Sequence, residues 1–229
     1  MTPISANLQA VRARIDAAAR AAGRNPDDIT LLAVSKTWPA DCVHAAAAAG
    51  QRAFGENYVQ EGVAKATELS ALALDWHFIG PLQSNKTRPV AEVFDWVHSI
   101  DRLKIAERLA EQRPAARGPL NVCLQVNVSG ETTKSGCRPE EAMTLARAIA
   151  ELPNLRLRGL MCIPEPTDDP AAQRRPFATL RTLYEQLRAE GLILDTLSMG
   201  MSHDIEAAIA EGATMVRVGT AIFGERNKT

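Results

Sequence analysis

The chain has 229 residues, 46% hydrophobic and 23% charged, with 26 Lys and Arg against 27 Asp and Glu. That length suffices for a full core in a single domain over 1–229, and the balanced charge, with no basic tail or stripe, disfavours nucleic acid as a partner. Cys42, Cys123, Cys137 and Cys162 form no CxxC pair, the start lacks a basic region followed by an apolar stretch, and no segment approaches the ~20 apolar residues of a membrane span, so a soluble, cytoplasmic protein without membrane contact is expected.

Leu8, Val11, Ile15 and Ala18/Ala19 recur at helical spacing, which predicts an amphipathic helix over 5–22 ending near Gly23. A first strand over 30–36 follows, then an alanine-dense helix over 40–49 closed by Gly50, and a short strand, Ala53-Phe54, leading into Gly55-Glu56-Asn57. A helix over 58–71 precedes strand three, Trp76 to Gly80. The next helix, Ser84 to Val93, carries Pro89 and is expected to bend or begin late. Strand four is Trp96 to Ile100, and Asp101 is the expected cap of a helix over 102–112. Strand five spans Asn121 to Asn127, after which Pro139 opens a helix to Glu151 with Glu140 and Glu141 in its first turn. Strand six is Leu155 to Met161, followed by a Pro/Asp-rich stretch and a long helix over 173–190. Leu194 to Ser198 is strand seven, backed by a helix over 203–211, and Met215 to Gly219 is strand eight.

Eight strands alternating with helices, each connection long enough for a crossover, predict an α/β fold: a single (β/α)8 TIM barrel with an extra N-terminal helix. A doubly wound sheet fits less well, because Val34-Ser35-Lys36-Thr37-Trp38-Pro39 stands where its Gly-x-Gly-x-x-Gly would follow strand one. Barrel chemistry gathers at the C-terminal strand ends, and the candidate residues fall there.

Leu32, Val34 and Lys36 share a strand face, so Lys36 reaches from the barrel interior toward the mouth unless it is a plain surface lysine. An amine partly withdrawn from water is more available as a nucleophile. On strand eight, Val216 and Val218 suit the helix-packed exterior, which turns Arg217 inward. Its acceptor is either a pyridine nitrogen, which a guanidinium would keep unprotonated, or a strand-end carboxylate in a structural salt bridge. Ser198, Gly200 and Ser202 after strand seven, and Gly219 and Thr220 after strand eight, make two turns whose N–H groups suit a phosphate. Ser202 is also a candidate N-cap of the helix over 203–211. Asn57 serves either a cofactor oxygen or its own turn, while Glu56 is expected to pair with a nearby lysine or arginine. His77 is a ring-packing residue or a satisfied core histidine, and Met161 lies under an aromatic ring or in the core. His44, His77, His98 and His203 show no metal-binding spacing, and no serine or cysteine triad motif is present.

Together with Leu31–Thr37, Phe54–Glu61, Trp76–Lys86, Lys134–Gly136, Arg158–Met161, Ser198–Ser202 and Val218–Gly224, these residues closely resemble the pyridoxal-phosphate homeostasis (YggS/PROSC) family. That family is related to the N-terminal barrel of bacterial alanine racemase, a fold type III architecture. The resemblance implies that Lys36 holds pyridoxal 5'-phosphate (PLP) as an internal aldimine and that Asn57 lies near the ring. It also implies that Arg217 meets the pyridine nitrogen and that Ser202, Gly219 and Thr220 bind the phosphate. A monomeric PLP carrier and regulator, supplying PLP-requiring apoenzymes and without established turnover, is the leading expectation. Many members carry a second lysine after Lys36-Thr37, where this chain has Trp38, so no role of that amine is carried over. A weak amino-acid racemase is the alternative, although Tyr58 and Tyr184 are the only tyrosines and Tyr184 falls in an outer helix. A lysine-dependent aldolase is a third reading, and it needs no turns for a cofactor phosphate.

Overall fold

The computed structural model describes residues 2–130 and 135–225. Among them, β1 (Thr30–Val34), β2 (Ala53–Glu56), β3 (Asp75–Phe78), β4 (Trp96–Ile100), β5 (Leu120–Gln125), β6 (Leu155–Met161), β7 (Thr196–Ser198) and β8 (Met215–Val218) form one closed barrel in chain order. Every pairing is parallel, and β8 returns to β1 with Thr30 opposite Met215 and Ala33 opposite Val218. The (β/α)8 barrel read from the sequence is the fold observed.

Strand parity decides what faces where. Val216 and Val218 join the layer between strands and helices, together with the fully buried Phe54 and Phe78. Each such side chain contributes roughly 1.5–3 kcal/mol through burial. On the opposite parity, Leu32, Val34, Ala53, Ile79 and Met215 form a separate apolar cluster. Gly159 on β6 permits a close approach to β7, because a Cβ there would stand 1.7 Å from the Thr196 carbonyl oxygen.

The helices α1 (Pro3–Ala21), α2 (Ala40–Ala48), α3 (Val59–Glu68), α4 (Thr87–Val93), α5 (Leu103–Gln112), α6 (Pro139–Ala150) and α7 (Pro170–Ala189) surround the barrel, with short α8 (Ile205–Ala210) and α9 (Thr220–Phe223) near the end of the chain. The opening helix starts earlier than its apolar period indicates, since Pro3 occupies the first turn and Thr2 Oγ1 accepts the Ser5 N–H at 3.3 Å. It braces the far end of the chain: Asn7 Nδ2 donates to the Ile222 carbonyl at 2.9 Å and Arg14 Nη1 to the Ser202 carbonyl at 2.5 Å.

Two expected caps are corrected. Arg102, not Asp101, precedes α5, and the Asp101 carboxylate instead accepts from Arg102 Nη1 at 2.6 Å. Ser202 does not cap α8; Asp204 takes the N-cap position, and its Oδ1 accepts the Met201 N–H at 2.5 Å. Pro89 is accommodated as anticipated, in the first turn of α4, where its missing N–H removes no helical bond.

Candidate functional site

The strand ends converge on a cavity of about 260 Å³ walled by Lys36, Trp38, Asn57, Ser202, Arg217, Gly219 and Thr220, with Val34, Ile79, Ile163, Met201 and His203. A larger recess of about 540 Å³, lined by Leu155, Leu157 and Ile193, lies at the N-terminal strand ends. The smaller cavity holds the chemistry, because it alone of the two collects an amine, a buried guanidinium and glycine turns at the C-terminal mouth.

Lys36 leaves β1 half-buried, and Thr37 after it adopts the left-handed conformation at φ 67°, unusual for a β-branched residue. Side chains from α3 hold both flanking peptides. Glu61 Oε1 accepts the Thr37 N–H at 2.5 Å, and Lys65 Nζ donates to the Ser35 carbonyl at 2.7 Å. Lys65 also reaches Glu56 Oε1 at 2.8 Å and Glu61 Oε1 at 2.6 Å, which supplies the basic partner expected for Glu56. Ser35 Oγ donates to the same Glu56 oxygen at 2.6 Å, while Glu56 Oε2 is buried without a partner. Burial pushes the Glu56 carboxyl above its ordinary pKa, against the pull of Lys65 and Ser35.

Arg217 points inward from β8 and is buried, with one edge on the cavity. Its Nη1 donates to the Ser198 carbonyl at 2.6 Å and to Ser198 Oγ at 2.8 Å, and its Nη2 donates to the Cys162 carbonyl at 2.8 Å. No carboxylate among the described residues pairs with it, which removes the structural salt bridge as its explanation. Burial lowers its pKa, but a guanidinium keeps its proton, so a positive charge stands under the cavity facing neutral acceptors.

On the β7 and β8 side, the main-chain N–H groups of Ser202, His203, Gly219 and Thr220 find no acceptor among the described residues. Converging donors of this kind form an anion cradle. Gly200 sets the turn: its φ is +95°, and a Cβ there would stand 2.6 Å from the Ala208 Cβ. Across the cavity, Asn57 Oδ1 is buried without a donor. Trp38 packs against Phe223 of α9 with ring centroids 6.1 Å apart.

Lys36, Asn57, Ser202, Arg217, Gly219 and Thr220 therefore line one cavity, while Ser198 and Gly200 support its β7 and β8 side from behind. His77 and Met161 are buried away from it. The His77 ring stacks on Trp96 at 5.3 Å, and its Nδ1 meets His98 Nε2 at 2.9 Å. Lys134 lies outside the described residues. Sequence reading missed Ile79, Ile163, Met201 and His203 on the wall. Parity with Val34 and Lys36 could have found none of them, although parity with His77 marks Ile79.

A family model described as alanine racemase, N-terminal domain, matches residues 6–227. A pyridoxal phosphate homeostasis protein of Pseudomonas aeruginosa is 65% identical over 227 residues, covering 99% of this chain and 97% of that protein. Its counterpart in Escherichia coli is 56% identical over 230 residues, covering 99% and 98%. Among solved structures, PipY of Synechococcus elongatus with PLP bound matches at a TM-score of 0.85 and 40% identity, over 96% of this chain and 100% of that one. Alanine racemase of Corynebacterium glutamicum matches at 0.71 and 19% identity, over 98% of this chain and 61% of its own, a likeness of fold alone. Identity this high, sustained from end to end on a barrel of the same kind, shows that the chain belongs to the pyridoxal phosphate homeostasis protein family.

Proposed function

We propose that this chain binds PLP covalently on the Lys36 amine and serves cytoplasmic PLP homeostasis as a monomeric, single-domain carrier. One observation carries the reading: a single cavity brings together a lysine, an arginine and a cradle of main-chain N–H groups, the last two without a carboxylate partner or an acceptor, respectively, among the described residues. The residues suit the three ends of the molecule. Lys36 faces the aldehyde, Arg217 the ring nitrogen, and Ser202, Gly219 and Thr220 the phosphate. Asn57 Oδ1 is the acceptor left for a hydroxyl donor on the ligand. Bound PLP supplies an electrophilic aldehyde and an aromatic electron sink.

Arg217 argues for storage over turnover. Set against the ring nitrogen, its permanent guanidinium would keep that nitrogen unprotonated and weaken the sink. Opposite-face proton transfer also lacks a tyrosine, since the Tyr184 hydroxyl is spent on the Leu194 carbonyl at 2.9 Å and Tyr58 does not line the cavity. His203 on the wall is the observation that keeps a weak racemase as the second reading.

Borohydride reduction of PLP-treated protein, followed by peptide mapping, tests the proposal. A pyridoxyl adduct on Lys36, absent in Lys36→Ala, is expected; an adduct elsewhere, or none, overturns it. Exchange of the α-proton of free amino acids in deuterium oxide, abolished in Lys36→Ala, would promote the racemase. Delivery to apoenzymes belongs to the same proposal, and transfer whose rate ignores acceptor concentration would reduce it to simple release.

A further inference from the structure

Four side chains from β3, β4, β7 and β8 form one buried line under the cavity. Arg217 Nη1 lies 2.8 Å from Ser198 Oγ, Ser198 Oγ lies 2.8 Å from His98 Nδ1, and His98 Nε2 lies 2.9 Å from His77 Nδ1. All four residues are at most 4% exposed, so water cannot substitute for a lost partner.

Donor and acceptor capacities give the line one direction. Arg217 can only donate, so Ser198 Oγ accepts from it. The Ser198 hydroxyl proton then needs an acceptor, and His98 Nδ1 is the one within reach. That places the His98 proton on Nε2, which donates to His77 Nδ1 and leaves the His77 proton on its own Nε2. The reverse order would aim His98 Nδ1–H at Ser198 Oγ and strand the serine proton in a dry interior at the cost of an unmade hydrogen bond. Burial holds both imidazoles neutral, with the His77 pKa lowered to about 3 and that of His98 well below its ordinary value, where the adjacent His77 ring and the Arg217 guanidinium further disfavour a positive charge. Neutrality is what the order requires, since a doubly protonated His98 would offer Ser198 no lone pair.

We infer that His98, acting through Ser198, is a positioning residue for Arg217: a one-way hydrogen-bond line anchored at His77 fixes which edge of the guanidinium faces the ligand. No single member forms a cavity contact apart from Arg217. Yet among the described residues the guanidinium has two carbonyls and this hydroxyl to orient it, and the hydroxyl is oriented by His98. The ligand half of the inference rests on PLP occupying the cavity.

Two measurements separate the line from that reading. Nitrogen NMR of isotope-labelled wild-type protein, without PLP, reads the imidazole tautomers directly. His98 protonated on Nε2 and bare on Nδ1 is expected, and a proton on His98 Nδ1 overturns the line whether or not PLP binds. With PLP, Ser198→Ala and His98→Leu should each weaken retention about ten- to a hundredfold and shift the absorbance of the bound cofactor, as loss of a hydrogen bond to a charged group does. His98→Asn, which keeps an acceptor near the Nδ1 position, should stay within about threefold of wild type, and the Ser198→Ala/His98→Leu pair should be no worse than either change alone. Variants that retain wild-type spectrum and affinity, or whose effects multiply, refute the positioning role. Failure of wild-type protein to take up PLP would instead refute the proposed function and leave the tautomer result standing.

Discussion

Replacing Lys65 with methionine strips an ammonium from a carboxylate that water cannot reach. Lys65 Nζ stands 2.8 Å from Glu56 Oε1 with the two side chains 6% and 0% exposed, and the other Glu56 oxygen already lacks a partner. Methionine conserves most of the volume, so packing changes little. Removing one member of a buried pair costs about 3–5 kcal/mol, and at ~2–4 °C per kcal/mol for a domain of this size the melting temperature falls by roughly 6–20 °C. The pH dependence supplies the sharper test. Burial raises the Glu56 pKa while Lys65 holds it down, so the variant's Glu56 titrates higher still. A group raised in the folded state contributes stability below its unfolded pKa and loses it as pH climbs through the folded value. The Lys65→Met deficit is therefore greatest near neutrality and shrinks on acidification. Denaturant titrations at about pH 8 and about pH 5 measure it. A neutral-pH deficit under ~1 kcal/mol, the range of an exposed pair, or a deficit that grows toward acid, would refute the reasoning. Adding Glu56→Gln, which discharges the stranded group, should recover part of the loss.

Gly200→Ala forces a Cβ to 2.6 Å from Ala208 at a φ of +95°, so a loss above about 1 kcal/mol in denaturant titrations is expected, together with weaker PLP retention in equilibrium dialysis. The buried histidines predict an acid-side weakness. With folded pKa values depressed, they add stability above the ordinary histidine value, and it drains away as pH falls toward about 3 for His77. Each contributes a slope approaching ~1.4 kcal/mol per pH unit in that window. Urea titrations across it should show His98→Asn losing about one histidine's share, and an unchanged slope would contradict the neutral pair.

Much of this was legible in the sequence because a barrel strand obeys period two. Val216 and Val218 announce the exterior, and Arg217 between them can only look inward. Glycines at the last two strand ends announced the cradle in the same way. What stayed hidden is contact between elements far apart in the chain. His98 and Ser198 lie 100 residues apart, and nothing local to Trp96–Ile100 marks His98 as anything but core, especially as β4 slips register against β5 between Val97 and Ile100. The misjudged caps have a common cause. Asp101 and Ser202 are good cap types, but α5 and α8 begin one and two residues later than the pattern suggests, the Asp101 carboxylate is taken by Arg102, and the turn before α8 is closed by the Asp204 carboxylate on the Met201 N–H. Strand limits are less legible: the apolar pattern runs two residues ahead of β7 at Leu194 and stops two residues short in β2, which continues through Gly55 and Glu56.

The cavity straddles the seam where the polypeptide's first strand meets its last: Val34, Lys36 and Trp38 come from one side, Arg217, Gly219 and Thr220 from the other, and the Trp38 ring leans on Phe223 across the join. A chain still being made, or one frayed at either terminus, has no pocket to fill. A ligand that touched both edges would work as a latch, drawing the cylinder shut by its own affinity, so that loading and completion of the fold would reinforce each other.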